Sequence, residues 1–175
     1  FYLGDGAFRS LDNGETWTSL GTTAGGRPDG FSINFQGGWR VVTSPLDGTV
    51  FLATYGNIYR SVDSGQSWNS ALNGGSSYFS DVAVSDGGVV YASMSDGGFY
   101  RSQTGFGFTN ITPSYLKNIN RTVLCIDPTN DSTAYFLSEL AEDNSGGVAS
   151  SNYQGEPEYV SLQKYSYLSG NGRPN

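Results

Sequence analysis

Arg60-Ser61-Val62-Asp63-Ser64-Gly65-Gln66-Ser67-Trp68 decides how this chain folds, because the chain uses it twice. Arg9-Ser10-Leu11-Asp12-Asn13-Gly14-Glu15-Thr16-Trp17 is the same pattern 51 positions earlier, Arg-Ser-x-Asp-x-Gly-x-(Ser/Thr)-Trp, with an aromatic residue (Phe8, Tyr59) just before the arginine. Asn13-Gly14 and Ser64-Gly65 are hairpin dipeptides, in which glycine takes the positive φ of a tight reversal. The Asp before each pair accepts from the turn's own N–H groups, and the Ser hydroxyl closes the same loop from the strand side. The Trp begins the returning strand and offers apolar surface to a neighbouring sheet. The motif therefore predicts a self-satisfied β-hairpin with an aromatic anchor, a statement about architecture before chemistry.

Outward from the motif, short strand patterns recur in a fixed order. In the second unit the spacing predicts strands over 40–44, 49–54, 58–61 and 67–72, separated by Pro45-Leu46-Asp47-Gly48, Tyr55-Gly56-Asn57 and the motif turn. The third unit repeats them over 81–85, 89–95, 99–102 and 108–112, with Asp86-Gly87-Gly88 and Asp96-Gly97-Gly98 as turns. Its motif has decayed: Phe99-Tyr100-Arg101-Ser102 keeps the entry, but the Asp is gone and Phe108 takes the Trp position. A fainter fourth unit reads as strands over 122–127, 133–140, 147–151 and 158–162, with a polar insertion at Ala141–Ser145 and Tyr159 in the Trp position. The first unit has strand candidates at Phe1–Leu3, Ala7–Ser10 and Thr16–Leu20, and Gly21–Gly30 follows as a loop. A repeat of about 40–50 residues, each of four short antiparallel strands, is the composition of a propeller blade. The expected fold is all-β: about three and a half to four blades, over 1–20, 39–72, 79–112 and 121–163, with a tail at 164–175 that holds one more strand candidate, Tyr165–Leu168.

With 175 residues the chain is long enough to bury a core as one domain. Its 25 glycines and 14% aromatic residues fit many short strands joined by tight turns. A net charge of −7 without clustered Lys or Arg argues against nucleic acid and anionic membrane as partners. No apolar run approaches the ~20 residues of a membrane-spanning helix. Phe1-Tyr2-Leu3 reads as the middle of a strand, so a processed or truncated end is expected there. The single cysteine, Cys125, lies in an apolar run and reads as a buried, inert thiol. With no histidine, Ser-His-Asp and Cys-His nucleophiles and His-ligated zinc are excluded.

The two intact copies resemble the Asp-box, or BNR, repeat of sialidases, sortilin-type receptors, xyloglucan-active glycoside hydrolases and photosystem II assembly factors. The resemblance implies a propeller of six or more blades whose boxes lie on outer hairpins, away from the central pocket. Ser10, Asp12, Gly14, Trp17, Ser61, Asp63, Gly65 and Trp68 are thereby expected to be structural. The blade count implies that further blades, or another chain, complete the ring, unless the tail strand closes a four-bladed one.

Function is read in two ways. The first is an extracellular or cell-surface, secreted binding or structural module, part of a larger adhesin-like protein, with a protein or carbohydrate ligand. The second is a fragment of a carbohydrate-active hydrolase of the xyloglucanase or sialidase type. For that alternative the candidate catalytic residues are Asp5, in Leu3-Gly4-Asp5-Gly6-Ala7-Phe8-Arg9, and Asp96, since two carboxylates across a cleft can run inverting hydrolysis. Asp-Gly-Gly also recurs at Asp86 as a plain turn, which explains Asp96 without catalysis. Arg9, Arg60 and Arg101 stand at equivalent blade positions and are expected to pair locally rather than to form a carboxylate-gripping triad. Trp39, Tyr55 and Tyr78 lie near turns, where they can stack on a sugar or simply pack. No cofactor or metal is expected; calcium is weighed at Asp127–Asp131 and Glu139–Asp143, where solvated loops are the preferred account.

Overall fold

A computed structural model describes residues 4–25, 30, 32–75, 77, 80–140, 148–151 and 157–167. The expectations placed on Phe1–Leu3, Tyr78, Ala141–Ser145 and Leu168 lie outside these residues. The described residues form four antiparallel sheets and one 3-10 turn, Asn34–Gln36. The first sheet holds β1 (Phe8–Arg9) and β2 (Thr18–Ser19). The second is a meander of β3 (Gly38–Thr43), β4 (Val50–Thr54), β5 (Asn57–Ser61) and β6 (Asn69–Asn73). The third repeats it with β7 (Ser80–Val84), β8 (Val90–Met94), β9 (Gly98–Ser102) and β10 (Thr109–Asn110).

The fourth sheet departs from the meander. Its strands are β11 (Ile119–Asp127), β12 (Asn130–Leu140), β13 (Val148–Ser151) and β14 (Pro157–Ser166), in the order β11-β12-β14-β13. Strand β14 pairs with β12 from Thr133↔Ser166 to Leu140↔Tyr159, a continuous ladder that the four-residue β13 cannot match, so β13 is left at the edge. Tyr159 is therefore in the third strand of its sheet, not at the Trp position of an outer fourth. The same ladder takes up the start of the tail: Tyr165 pairs with Ala134, and the Tyr167 N–H donates to the Ser132 carbonyl. The described part of the tail, up to Tyr167, runs with the fourth sheet and not with the first.

Alternation along the strands builds the core between sheets. Phe51, Ala53 and Ile58 of the second sheet meet Val82, Val90, Ala92 and Met94 of the third. The opposite face of the third sheet, with Tyr91 and Phe99, meets Leu124, Ala134 and Phe136 of the fourth. Phe99 and Phe136 stack at 4.2 Å between ring centroids. The far face of the fourth sheet is open, and its cross-strand row Val123↔Leu137↔Leu162 is exposed. Cys125 shares that face and is exposed, contrary to the buried thiol expected. Leu124 takes the inward position, and a period of two turns its neighbour outward.

Candidate functional site

Strands β3, β7 and β11 are the first strands of three successive sheets and lie side by side. Each carries one charged residue at the same point of the repeat: Arg40, Asp81 and Arg121. With Trp39, Ser80, Thr122 and Val123 they line a cavity of about 150 Å3. Asp81 is the buried member, at 7% exposure. Its Oδ2 accepts from the Leu124 N–H at 3.0 Å, its Oδ1 accepts from the Val82 N–H at 2.9 Å, and Arg40 Nε stands 3.7 Å from Oδ1. The carboxylate thus ties all three sheets together. Burial pushes its pKa up, opposed by the Leu124 and Val82 amides and then by the charges of Arg40 and Arg121. Arg40 and Arg121 are exposed, and so is Trp39, at 38%. In a chain of net charge −7 this spot offers solvent two guanidinium groups and an aromatic ring, with the one compensating carboxylate beneath them.

The two sequence motifs close their own turns. The Ser10 hydroxyl donates to Asp12 Oδ1 at 2.7 Å and accepts from the Gly14 N–H at 2.8 Å, while the Thr16 N–H donates to Asp12 Oδ1 at 2.9 Å. Ser61, Asp63, Gly65 and Ser67 repeat these bonds at 2.8, 2.8 and 2.9 Å. Asn13, Gly14, Ser64 and Gly65 all have positive φ. Hydrogen bonds from Thr16 and Ser67, hydroxyl first and amide second, then from Ser10 and Ser61, hold Asp12 and Asp63 at a pKa of about 2, below the ordinary 3.8. A lowered folded pKa means that their contribution to stability is complete above 3.8 and is lost as pH falls through about 2. Asp81 has the opposite sign: with a raised folded pKa, stability declines as pH climbs from 3.8 through its titration. Acid titration followed by circular dichroism should show both, the low-pH loss weakened in Asp12→Asn/Asp63→Asn and the higher decline absent in Asp81→Asn.

The Trp anchors differ from the expectation. Trp17 is 63% exposed and lies over its own turn, its Nε1–H donating to the Gly14 carbonyl at 3.1 Å. Trp68 is half-buried and meets Phe35 edge-on at 6.2 Å. The second motif has a 3-10 turn beside it that supplies Phe35, while Trp17 of the first stays exposed. Fully buried Trp truncations cost about 3–5 kcal/mol, so half-burial sets Trp68→Ala at about 2 kcal/mol and Trp17→Ala well below 1. Urea denaturation of the two variants checks this ranking.

The repeat arginines reach forward to the next sheet, and Arg101 also donates from Nε to the Tyr91 hydroxyl of its own sheet at 3.3 Å. Arg9 donates to the Ser64 carbonyl at 2.9 Å, Arg60 lies over Phe106 at 4.6 Å, and Arg101 lies over Tyr167 at 4.1 Å. They are spent between sheets and form no triad. Asp5 precedes β1 and accepts from the Gly25 N–H at 3.3 Å. Asp96 sits in the β8–β9 turn at a φ of 58°, its N–H donating to the Ile119 carbonyl. The whole second sheet stands between their two sheets. Asp127 accepts from Thr129 in its own turn, and Asp131 accepts from the Gly87 N–H of the neighbouring sheet. Among the described residues no three acidic or cysteine side chains converge as a metal cage requires.

No family model matches the chain, and no curated protein matches it. Solved structures do. It is similar to an ancestral GH74 enzyme, with 19% identity, a TM-score of 0.61 and coverage of 97% of this chain but 24% of that one. It is similar also to the GH74 enzyme of Niastella koreensis, with 20% identity, a TM-score of 0.54, and coverage of 94% and 25%. The chain thus spans about a quarter of the length of these enzymes. It is a partial β-propeller. In propeller terms β3, β7 and β11 are innermost strands, so the Arg40–Asp81–Arg121 cluster belongs to the axial side of the blades. The two motif hairpins join the outermost strands of the first and second blades.

Sequence reasoning named Trp39 but passed over Arg40, Asp81 and Arg121. An available signal is the repeat itself: superposing Gly38-Trp39-Arg40-Val41, Phe79-Ser80-Asp81-Val82 and Ile119-Asn120-Arg121-Thr122 puts Arg, Asp and Arg in one column. A column that should be apolar or neutral instead alternates in charge.

Proposed function

We propose that this chain is the ligand-binding portion of a secreted or cell-surface β-propeller, and that its axial strands bind a saccharide. The observation that carries the reading is the exposed Trp39 ring beside Arg40 and Arg121, above a buried Asp81 that keeps Arg40 oriented. An aromatic face suits the apolar face of a sugar ring, and two guanidinium groups favour a sugar bearing an acidic group. Titration calorimetry with oligogalacturonides against neutral xyloglucan oligosaccharides tests it. Tighter binding of the acidic series is expected, with Trp39→Ala and Arg121→Ala each weakening it at least about tenfold, or about 1.4 kcal/mol.

The second reading, a segment of a glycoside hydrolase, is supported by the likeness to GH74 enzymes and by the raised pKa of Asp81, which a general acid needs. Against it, both Asp81 oxygens are held by backbone amides, and a glycosidase needs a second carboxylate about 5–10 Å away. Among the described residues, no such partner lines the cavity. Reducing-sugar release from either oligosaccharide that disappears in Asp81→Asn would favour the hydrolase.

A further inference from the structure

The axial cavity does not end at Arg40. A second one, of about 270 Å3, continues from it and shares Arg40 as a wall. Along β7 the lining passes from Ser80 and Asp81 in the first to residues 83–86 in the second, and along β11 from 121–123 to 124–127. The two form one groove that follows the strand direction. At ~30 Å3 per water the second part displaces about nine waters, enough for a sugar ring.

Charge changes sign along this groove. The first part holds Arg40 and Arg121 over one buried carboxylate. The second is lined by Asp86, Asp127 and Asp131, and Arg40 is the one cation among the described residues that line it. The repeat builds this polarity, because each innermost strand meets its partner strand at an aspartate: Asp47, Asp86 and Asp127. Asp86 is exposed, and Asp127 and Asp131 are half-buried. Thr129, through its hydroxyl first and its amide second, holds the Asp127 carboxyl below the ordinary range, so this group stays charged in mild acid. Asp131 Oδ2 accepts from the Gly87 N–H at 2.9 Å, a neutral donor that leaves its charge in place. Arg121 and Asp127 are six positions apart on one strand, or ~20 Å. That is twice the Debye length of ~10 Å at 0.1 M salt, so the two ends act on a ligand separately.

The saccharide reading of the axial site is the basis for a finer one. We propose that the groove selects an oligosaccharide whose charge is confined to one end, with an acidic residue at Trp39, Arg40 and Arg121 and neutral residues running down to Asp86 and Asp127. A second uronate placed at the lower end would face three carboxylates, and like-charge juxtaposition is unfavourable. A neutral residue at that end offers only hydroxyl donors, which ionised carboxylates accept in charge-assisted hydrogen bonds. The same side chains therefore hold the neutral residue and reject the charged one.

The probes are tetragalacturonate with all four carboxyls free, the same tetramer methyl-esterified on three of them with one terminal acid left free, and the fully esterified tetramer. Titration calorimetry with the 175-residue protein at about 0.1 M salt should rank the singly charged tetramer about fivefold tighter than the fully charged one. The gap should narrow at ~0.5 M salt, where screening is stronger. It should narrow also in Asp86→Asn/Asp127→Asn, through tighter binding of the fully charged tetramer. Both substitutions spare the fold: Asp86 is exposed, and Thr129 donates its amide and its hydroxyl to Asp127 Oδ1, an oxygen that Asp127→Asn keeps. A fully charged tetramer that binds as tightly as the singly charged one, or a gap indifferent to salt and to the double variant, overturns the proposal and leaves the saccharide reading standing. Failure of both acid-bearing tetramers to bind, or equal binding of the fully esterified one, overturns that reading and the proposal with it.

Discussion

Phe136→Ala should lose about 4 kcal/mol of stability, the upper range for truncating a buried aromatic residue. Phe136 is fully buried between the third and fourth sheets, stacked on Phe99 and edge-on to Tyr91 at 6.5 Å. A cavity at that point cannot collapse, because it is bounded by two sheets whose backbones are fixed by their ladders. Leu137, one residue on, points to the open far face and is 49% exposed, so Leu137→Ala should cost below 1 kcal/mol. Denaturant midpoints for the pair test the register of β12. A one-residue slip would exchange the two results.

Gly105→Ala should cost about 3 kcal/mol, through left-handed backbone strain and overpacking together. Gly105 has a φ of +74°, and a Cβ there would come within 2.8 Å of Phe51 Cε1, a ring of the preceding blade that is itself fully buried. Gly107, two residues on, has a φ of +62° but open space around it, so Gly107→Ala should show the backbone cost alone, about 1 kcal/mol. The difference between the two measures how closely adjacent blades approach. The third motif copy lost its Asp and its Trp, yet it kept the glycine. In the second copy Gly65 lies similarly against Leu20 of the first blade, 2.7 Å from the position of an added Cβ.

These two contrasts rest on what the sequence displays openly: turn dipeptides, two-residue alternation and a motif used twice. Those signals act locally, within a hairpin, so they can be read without knowing where the hairpins go. The fourth sheet escaped such reading because its order is set by competition between ladders. Val148–Ser151 and Pro157–Ser166 are both legitimate strands, and only the length of pairing with Asn130–Leu140 decides which lies next to it. The burial of Trp17 was misjudged for a related reason, since Trp68 owes its cover to Phe35, which lies outside the motif. Arg40, Asp81 and Arg121 are spaced 41 and 40 residues apart and meet only when three innermost strands stack. Asp5, by contrast, looked catalytic from its neighbours alone. In the structure it accepts from Gly25 in the segment after β2, two blades from Asp96.

The axial site is the centre of this account, and amide chemical-shift mapping with an oligogalacturonide reaches it most directly. The 15N spectrum of the full 175-residue protein would be followed through the titration. The largest changes should fall at Trp39, Arg40, Asp81, Arg121 and Val123, with the motif residues Asp12 and Asp63 unmoved. Changes concentrated instead at Asp5 and Asp96, or at the motif hairpins, would contradict it.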